Sequence, residues 1–189
     1  QALSAGGSGL GLFQEALRTL SLEVYLSSME ASVIKSLVPD LPQLLEQDIP
    51  DAPTLDSQAA RLRLLDVLRA VLLRGAQTTV LLLEDLHWMD PDSQELLRLL
   101  NSQLAERSLL IIGTYRTEER PDLPASLPGA QALLLPRLMR QAIEQLSMSM
   151  LGEAKQPAAL LDLLQRETEG NALFVVEVVR ALAETAGSL

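Results

Sequence analysis

The sequence predicts an α/β fold, a small parallel sheet with flanking helices followed by an all-helical segment. Three observations carry that expectation. Residues 78–83 (TTVLLL) and 108–113 (SLLIIG) are apolar runs without polar alternation, the pattern of strands covered on both faces. A capped helical stretch separates them, so strand, helix and strand form a βαβ unit with a right-handed crossover. Beyond Arg137 the apolar spacing is helical.

Taken in order, residues 1–12 read as a flexible lead-in, because Gly6, Gly7, Gly9 and Gly11 with Ser4 and Ser8 disfavour a fixed backbone. Helical patterning begins at Phe13 and runs, with interruptions, to about residue 37. Residues 39–53 hold four prolines and a cluster of acids, which predicts loop with at most a short helix. Ser57 is placed to cap a helix reaching Arg74, with Leu62, Leu65, Leu68 and Leu72 on one face and Gly75 as its stop. The helix between the strands is expected over residues 91–105. Asp90 precedes it, Pro91 suits its first position, and Asp92 complements the positive end of its dipole. A third strand is expected at 131–135, after a loop broken by Pro121, Pro124 and Pro128. Helices follow near 138–151, 157–168 and 173–186, with Gly170 and Asn171 separating the last two.

Composition narrows the functions open to the chain. Of its 189 residues 48% are hydrophobic but only 3% aromatic, so the core is built from Leu, Val, Ile and Ala. Fifteen basic residues face 25 acidic ones, a net charge of -10. A net anion is poorly suited to gripping phosphate backbones, so nucleic-acid binding by this chain is not expected. The absence of cysteine excludes disulfides, thiolate metal sites and a cysteine nucleophile. No apolar run approaches the roughly 20 residues of a membrane span, and the expected location is the cytoplasm.

The most informative segment is 80–93, VLLLEDLHWMDPDS. Its apolar run ends in two adjacent acids, Glu84 and Asp85, and open parallel sheets bind ligands beyond the carboxyl ends of their strands. Carboxylates there suit a hydrated Mg²⁺, which takes one or two of them together with phosphate oxygens. A second acid suits the orientation or deprotonation of a water attacking a γ-phosphate. The residue types alone equally describe two polar residues solvating a turn.

The segment closely resembles the extended Walker B segment of STAND-type P-loop ATPases, found in bacterial LuxR-family regulators and beside protein kinase and adenylate cyclase domains. Two further segments are similar to that family in the right order. Residues 108–119 (SLLIIGTYRTEE) resemble its next strand, and residues 169–182 (EGNALFVVEVVRAL) its helical-lid signature. More weakly, residues 13–20 (FQEALRTL) resemble a helix found downstream of the phosphate loop. The resemblance covers nearly the whole chain. It implies a partial P-loop NTPase core over 13–136, with Walker B at 80–85 and a sensor strand at 108–116, then a helical lid over 137–189. The implied cofactors are ATP and Mg²⁺. Glu84 is the implied Mg²⁺-side acid and Asp85 the acid that activates or positions water. Thr114 and Arg116 are the implied γ-phosphate contacts, and Asn171 a nucleotide contact from the lid. Arg116 also reads as a surface arginine paired with Glu118 or Glu119. His87 and Trp88 belong to the same motif; a lone His is no metal site, and Trp88 is expected to pack the strand–helix corner. Ala172 stands where the lid usually has proline, and Val176 and Val178 where it usually has acids or leucine.

A phosphate loop requires Gly-x-x-x-x-Gly-Lys-Ser/Thr, with glycines to let backbone N–H groups wrap the phosphates and Lys for the β/γ charge. Gly6 to Gly11 has the glycine spacing, but Leu12 and Phe13 follow where Lys and Ser or Thr are needed. The expectation is that the true loop precedes Gln1. In the family's sheet order, 5-1-4-3-2, the strand at 131–135 then lacks its partner and leaves apolar surface exposed. The expected function is an ATP-binding, ATP-hydrolysing regulatory switch of a multidomain signalling or transcription regulator, present here without its phosphate loop and working with other domains of the same protein or with protein partners. By itself the chain is expected to bind nucleotide weakly or not at all and to be inactive as an ATPase. The alternatives are a non-catalytic interaction scaffold derived from the same fold and a purely helical adaptor.

Overall fold

The computed structural model describes residues 10–75, 78–152 and 157–186. They fall into two compact units, Gln1–Ala132 and Leu133–Leu189. In the first, a 3-10 turn at Gly11–Phe13 leads into α1 (Gln14–Glu23), α2 (Ser28–Ile34), α3 (Leu41–Leu44) and α4 (Ser57–Leu72). Strand β1 (Thr79–Leu83), helix α5 (Pro91–Asn101) and strand β2 (Leu109–Gly113) follow. The strands pair in parallel from Thr79 opposite Leu109 to Leu83 opposite Gly113. The fold is therefore α/β with a parallel βαβ unit, and an all-helical adaptor is excluded.

Local chemistry explains the helix boundaries. Ser27 starts α2 with a capping box: its hydroxyl accepts from the Glu30 N–H (3.4 Å) while its own N–H donates to the Glu30 carboxylate (2.8 Å). The cap of α4 is Asp56, which accepts from the Ala59 N–H (2.9 Å), and not Ser57, which is the first residue inside the helix. The buried stripe of α4 runs through Leu65, Leu68, Val71 and Leu72. Leu62 falls at the stripe's edge and is exposed, contrary to the expected face. These residues join Phe13, Leu17, Ile34, Leu83, Leu96 and Leu100 in one apolar cluster.

Three expectations require correction. Both strands were expected to be covered on two faces, but only Leu81 and Leu83 of β1 enter the core. Val80, Leu82, Leu110 and Ile112 remain exposed. The apolar run recorded strand propensity, whereas cover depends on which helices pack alongside. No strand forms at 131–135. Leu133, Leu134 and Leu135 are exposed there, since an apolar run without a hydrogen-bonding neighbour gains nothing from extended pairing. Residues 1–9 of the expected lead-in lie outside the described residues, and the end of that segment is anchored. Leu10 is 1% exposed, and its N–H donates to Asp90 (3.0 Å).

The second unit packs α6 (Arg140–Leu151), α7 (Ala158–Thr168) and α8 (Ala172–Ala186) around Ile143, Leu161, Leu164, Val175 and Val179. Between α7 and α8, Glu169 (φ 49°) and Gly170 (φ 77°) take left-handed conformations. The Gly170 carbonyl accepts from the Leu138 N–H (2.7 Å), and a Cβ at Gly170 would lie 2.3 Å from the Leu138 carbonyl oxygen. Glycine is thus required for both conformation and space. Gly170→Ala is expected to destabilise the second unit by at least about 1–3 kcal/mol, read by chemical denaturation.

One ion pair ties the α2 cap to the end of α4. The Arg74 guanidinium bonds the Glu30 carboxylate and also donates to the Tyr25 carbonyl (2.6 Å). The Arg74 hydrogen bond holds the Glu30 carboxyl down to about 2 from 4.5; burial opposes it, and donation from Ser27 adds to it. The folded value lies below the unfolded one, so the stabilisation is complete above pH 4.5 and is lost as pH falls through about 2. Urea midpoints should drop across that window, and Glu30→Gln should flatten this part of the profile.

Candidate functional site

Past Leu83 the chain turns sharply. Asp85 adopts φ 56°, ψ 44°, a left-handed conformation that Asp tolerates better than most residues. A 3-10 turn at Leu86–Trp88 follows. Thr114, one residue beyond β2, clamps this turn. Its N–H donates to the Leu83 carbonyl (3.0 Å), and its carbonyl accepts from the Leu86 N–H (2.8 Å). Its hydroxyl accepts from the Asp85 N–H (3.2 Å). Gly113 permits the approach, because a Cβ there would lie 2.3 Å from Leu86 Cδ1. Glu84 and Asp85 are left exposed at the carboxyl end of the sheet.

The loop after Thr114 supplies the positive charge. The Arg116 N–H donates to His87 Nδ1 (3.3 Å), and its guanidinium lies 5.8 Å from the centre of the Trp88 ring. Arg116 Nη1 also donates to Glu119 Oε1 (3.2 Å), while Trp88 Nε1–H donates to Glu119 Oε2 (3.2 Å). The pairing with Glu119 is one of the two that the surface reading of Arg116 foresaw. Such an exposed pair contributes about 0–1 kcal/mol, little enough for a competing anion to displace. Trp88 itself is exposed and does not pack the strand–helix corner; Leu86 and Met89 do.

Asp90 fixes the far side of the turn as the cap of α5, accepting from the Asp92 and Ser93 N–H groups (3.0 and 2.9 Å) and the Ser93 hydroxyl (2.7 Å). Its partial burial raises the carboxyl, but the donors from Ser93 and Leu10 outweigh this and hold it below its ordinary value.

Four of the residues singled out in the sequence, Glu84, Asp85, Thr114 and Arg116, thus share one end of the β1–β2 pair. Asn171 belongs to the second unit, where its side-chain oxygen accepts from the N–H groups of Leu173 (3.1 Å) and Phe174 (3.4 Å) and starts α8. In the sequence Glu119 stood only as a partner for Arg116, and His87 had no role; Glu119 is the shared acceptor of Arg116 and Trp88, and His87 holds the Arg116 backbone. The i,i+3 spacing of Arg116 and Glu119 signalled the first; nothing in the spacing signals the second.

The exposed carboxylate of Glu84 suits a cation that completes its shell with phosphate oxygens and water. Among the described residues no group of three or more His, Asp or Glu side chains is arranged to hold a metal unaided. Lys35, the one lysine described, is committed to the Ile49 carbonyl (2.8 Å) and Asp51 (2.9 Å), whereas the Arg116 backbone is bonded to His87 in the turn that follows the two acids. No described helix is long and apolar enough to cross a membrane.

A sequence model of one family, described as the AAA ATPase domain, matches residues 8–112. The span takes in the acid turn and nearly all of β2, and stops before Thr114, Arg116 and the second unit. Comparisons with curated proteins and with solved structures found no match. With more than half of the sequence matched and a parallel βαβ unit that ends in exposed acids, the chain belongs to the AAA ATPase domain family.

Proposed function

We propose that this chain is an ATP-binding and ATP-hydrolysing switch domain of a larger cytoplasmic regulator, of the STAND type that its acid segment resembles. The observation that carries the reading is the Thr114 clamp, which fixes the turn carrying Glu84 and Asp85 at one end of a parallel sheet, with the Arg116 backbone held to the same turn through His87. On this reading Glu84 takes the Mg²⁺ side of the nucleotide and Asp85 orients the attacking water. Thr114 and Arg116 meet the γ-phosphate, and Asn171 belongs to the helical lid at 137–189. ATP and Mg²⁺ supply the phosphoryl group and its charge neutralisation; the chain supplies position and electrostatics. The lid then reports nucleotide state to attached domains. No Gly-x-x-x-x-Gly-Lys-Ser/Thr run occurs in these 189 residues, so their affinity for nucleotide by themselves is expected to be weak.

A second reading rests on a different observation. The open sheet face of Val80, Leu82, Leu110 and Ile112 suits a non-catalytic scaffold that binds protein through the same fold.

Mg²⁺-dependent ATP turnover separates the two. Asp85→Asn is expected to lower kcat by about 100-fold or more, and Glu84→Gln to raise the Mg²⁺ concentration required. Turnover untouched by both substitutions contradicts the assigned roles. Tight calorimetric binding of Mg²⁺–ATP by the chain contradicts the scaffold.

A further inference from the structure

His87 is the only histidine of the chain, and its side chain is 0% exposed. Its Nδ1 accepts from the Arg116 N–H, so that nitrogen carries a lone pair and a neutral ring carries its proton on Nε2. Nε2 is buried and has no hydrogen-bond partner among the described residues. A buried donor left unmade costs about 1–3 kcal/mol, so it is unexpected unless something else accepts the proton. Two carboxylate oxygens flank it at nearly equal distance, Asp85 Oδ1 at 3.9 Å and Glu119 Oε1 at 3.8 Å. Both distances exceed a hydrogen bond, yet both acids sit on partly exposed side chains, 55% and 40%, that a small rotation would bring within reach. The donor is fixed by burial, and its candidate acceptors lie on exposed side chains.

The acceptors are not equivalent. Glu119 already accepts from Arg116 and Trp88, whereas Asp85 accepts from no described side chain. While Arg116 and Trp88 hold Glu119, the Nε2–H falls to Asp85. We propose that His87 is a positioning residue: one ring nitrogen fixes the loop that carries Arg116, and the other fixes the carboxylate of Asp85. This rests on the ATPase reading for its consequence in catalysis, because Asp85 is the acid that orients water there. Acid and cation are thereby held through one rigid ring. When an anion draws Arg116 away, Glu119 is freed to compete for the same proton and the hold on Asp85 loosens.

Nitrogen-15 NMR of the protein tests this without assignment, since only one imidazole exists. The expected result is a single neutral tautomer with the proton on Nε2, whose Nε2 resonance shifts in both Asp85→Asn and Glu119→Ala. A proton on Nδ1, or a resonance unmoved by both substitutions, overturns the proposal. Turnover then tests the consequence with two variants that each keep one half of the ring. His87→Asn keeps an acceptor near Nδ1 and loses the distal donor; it should lower kcat by about 100-fold, the scale of a misplacement near 1 Å, with KM for Mg²⁺–ATP little changed. His87→Gln restores a donor near Nε2 but gives up the Nδ1 acceptor; it should recover most of the kcat loss while raising KM for Mg²⁺–ATP, because the Arg116 loop is released. Equal losses in both variants overturn the positioning role. If the unsubstituted protein hydrolyses no ATP even at saturating Mg²⁺–ATP, the ATPase reading fails, while the tautomer and its response to Asp85→Asn and Glu119→Ala still decide the role of His87.

Discussion

The clamp that Thr114 places on the turn after β1 is the constraint from which the site follows. Parallel pairing between β1 and β2 brings Leu83 level with Gly113, and the next residue continues the ladder through its N–H and carbonyl. The chain leaving β1 must then turn within one residue, which is why Asp85 sits in a left-handed conformation. A free turn would leave two adjacent carboxylates to separate in solvent. Held by Thr114, they share one edge with the loop that brings Arg116. Leu86 seals the clamp from beneath, filling the space that Gly113 leaves open.

The charges at this edge are arranged to be held but not spent. Arg116 and Glu119 pair at the surface, where the interaction is weak and screened by salt. The backbone of Arg116, by contrast, is fixed by buried His87. Rigid backbone with loosely committed side chains is the arrangement needed for a site that meets a charged ligand. On the proposed reading, reorganisation is confined to exposed side-chain ends, while the backbone positions of the acids and the arginine are already fixed.

Much of this was legible in the sequence. The runs at 78–83 and 108–113 with the Asp90–Pro91 helix start between them specified the βαβ unit, and the acids after the first run marked the carboxyl end of its first strand. The periods of α6, α7 and α8 were clear because each buries one stripe against the other two. Other features were not legible, for reasons of packing rather than propensity. The run at 131–135 has the composition of a strand, but forming one depends on a distant neighbour that local sequence does not encode. Val80 and Leu82 look like core residues because the pattern reports hydrophobicity, not cover. Leu10 looked like linker because its four neighbouring glycines dominate the composition; its anchor is Asp90, eighty residues away. The role of His87 depends on which of its nitrogens meets a backbone from another loop, which no spacing rule conveys.

The central claim is that nucleotide and metal meet this chain at the carboxyl end of β1 and β2. Mn²⁺ takes the same hard oxygen ligands as Mg²⁺, and its unpaired electrons broaden nearby amide resonances. Titrating Mn²⁺–ATP into the labelled protein tests the claim directly. The account predicts selective broadening at Glu84, Asp85, Leu86, Thr114 and Arg116, reversed by excess Mg²⁺–ATP and lost in Glu84→Gln. Broadening spread over the acidic surface, or centred on another part of the chain, would contradict it.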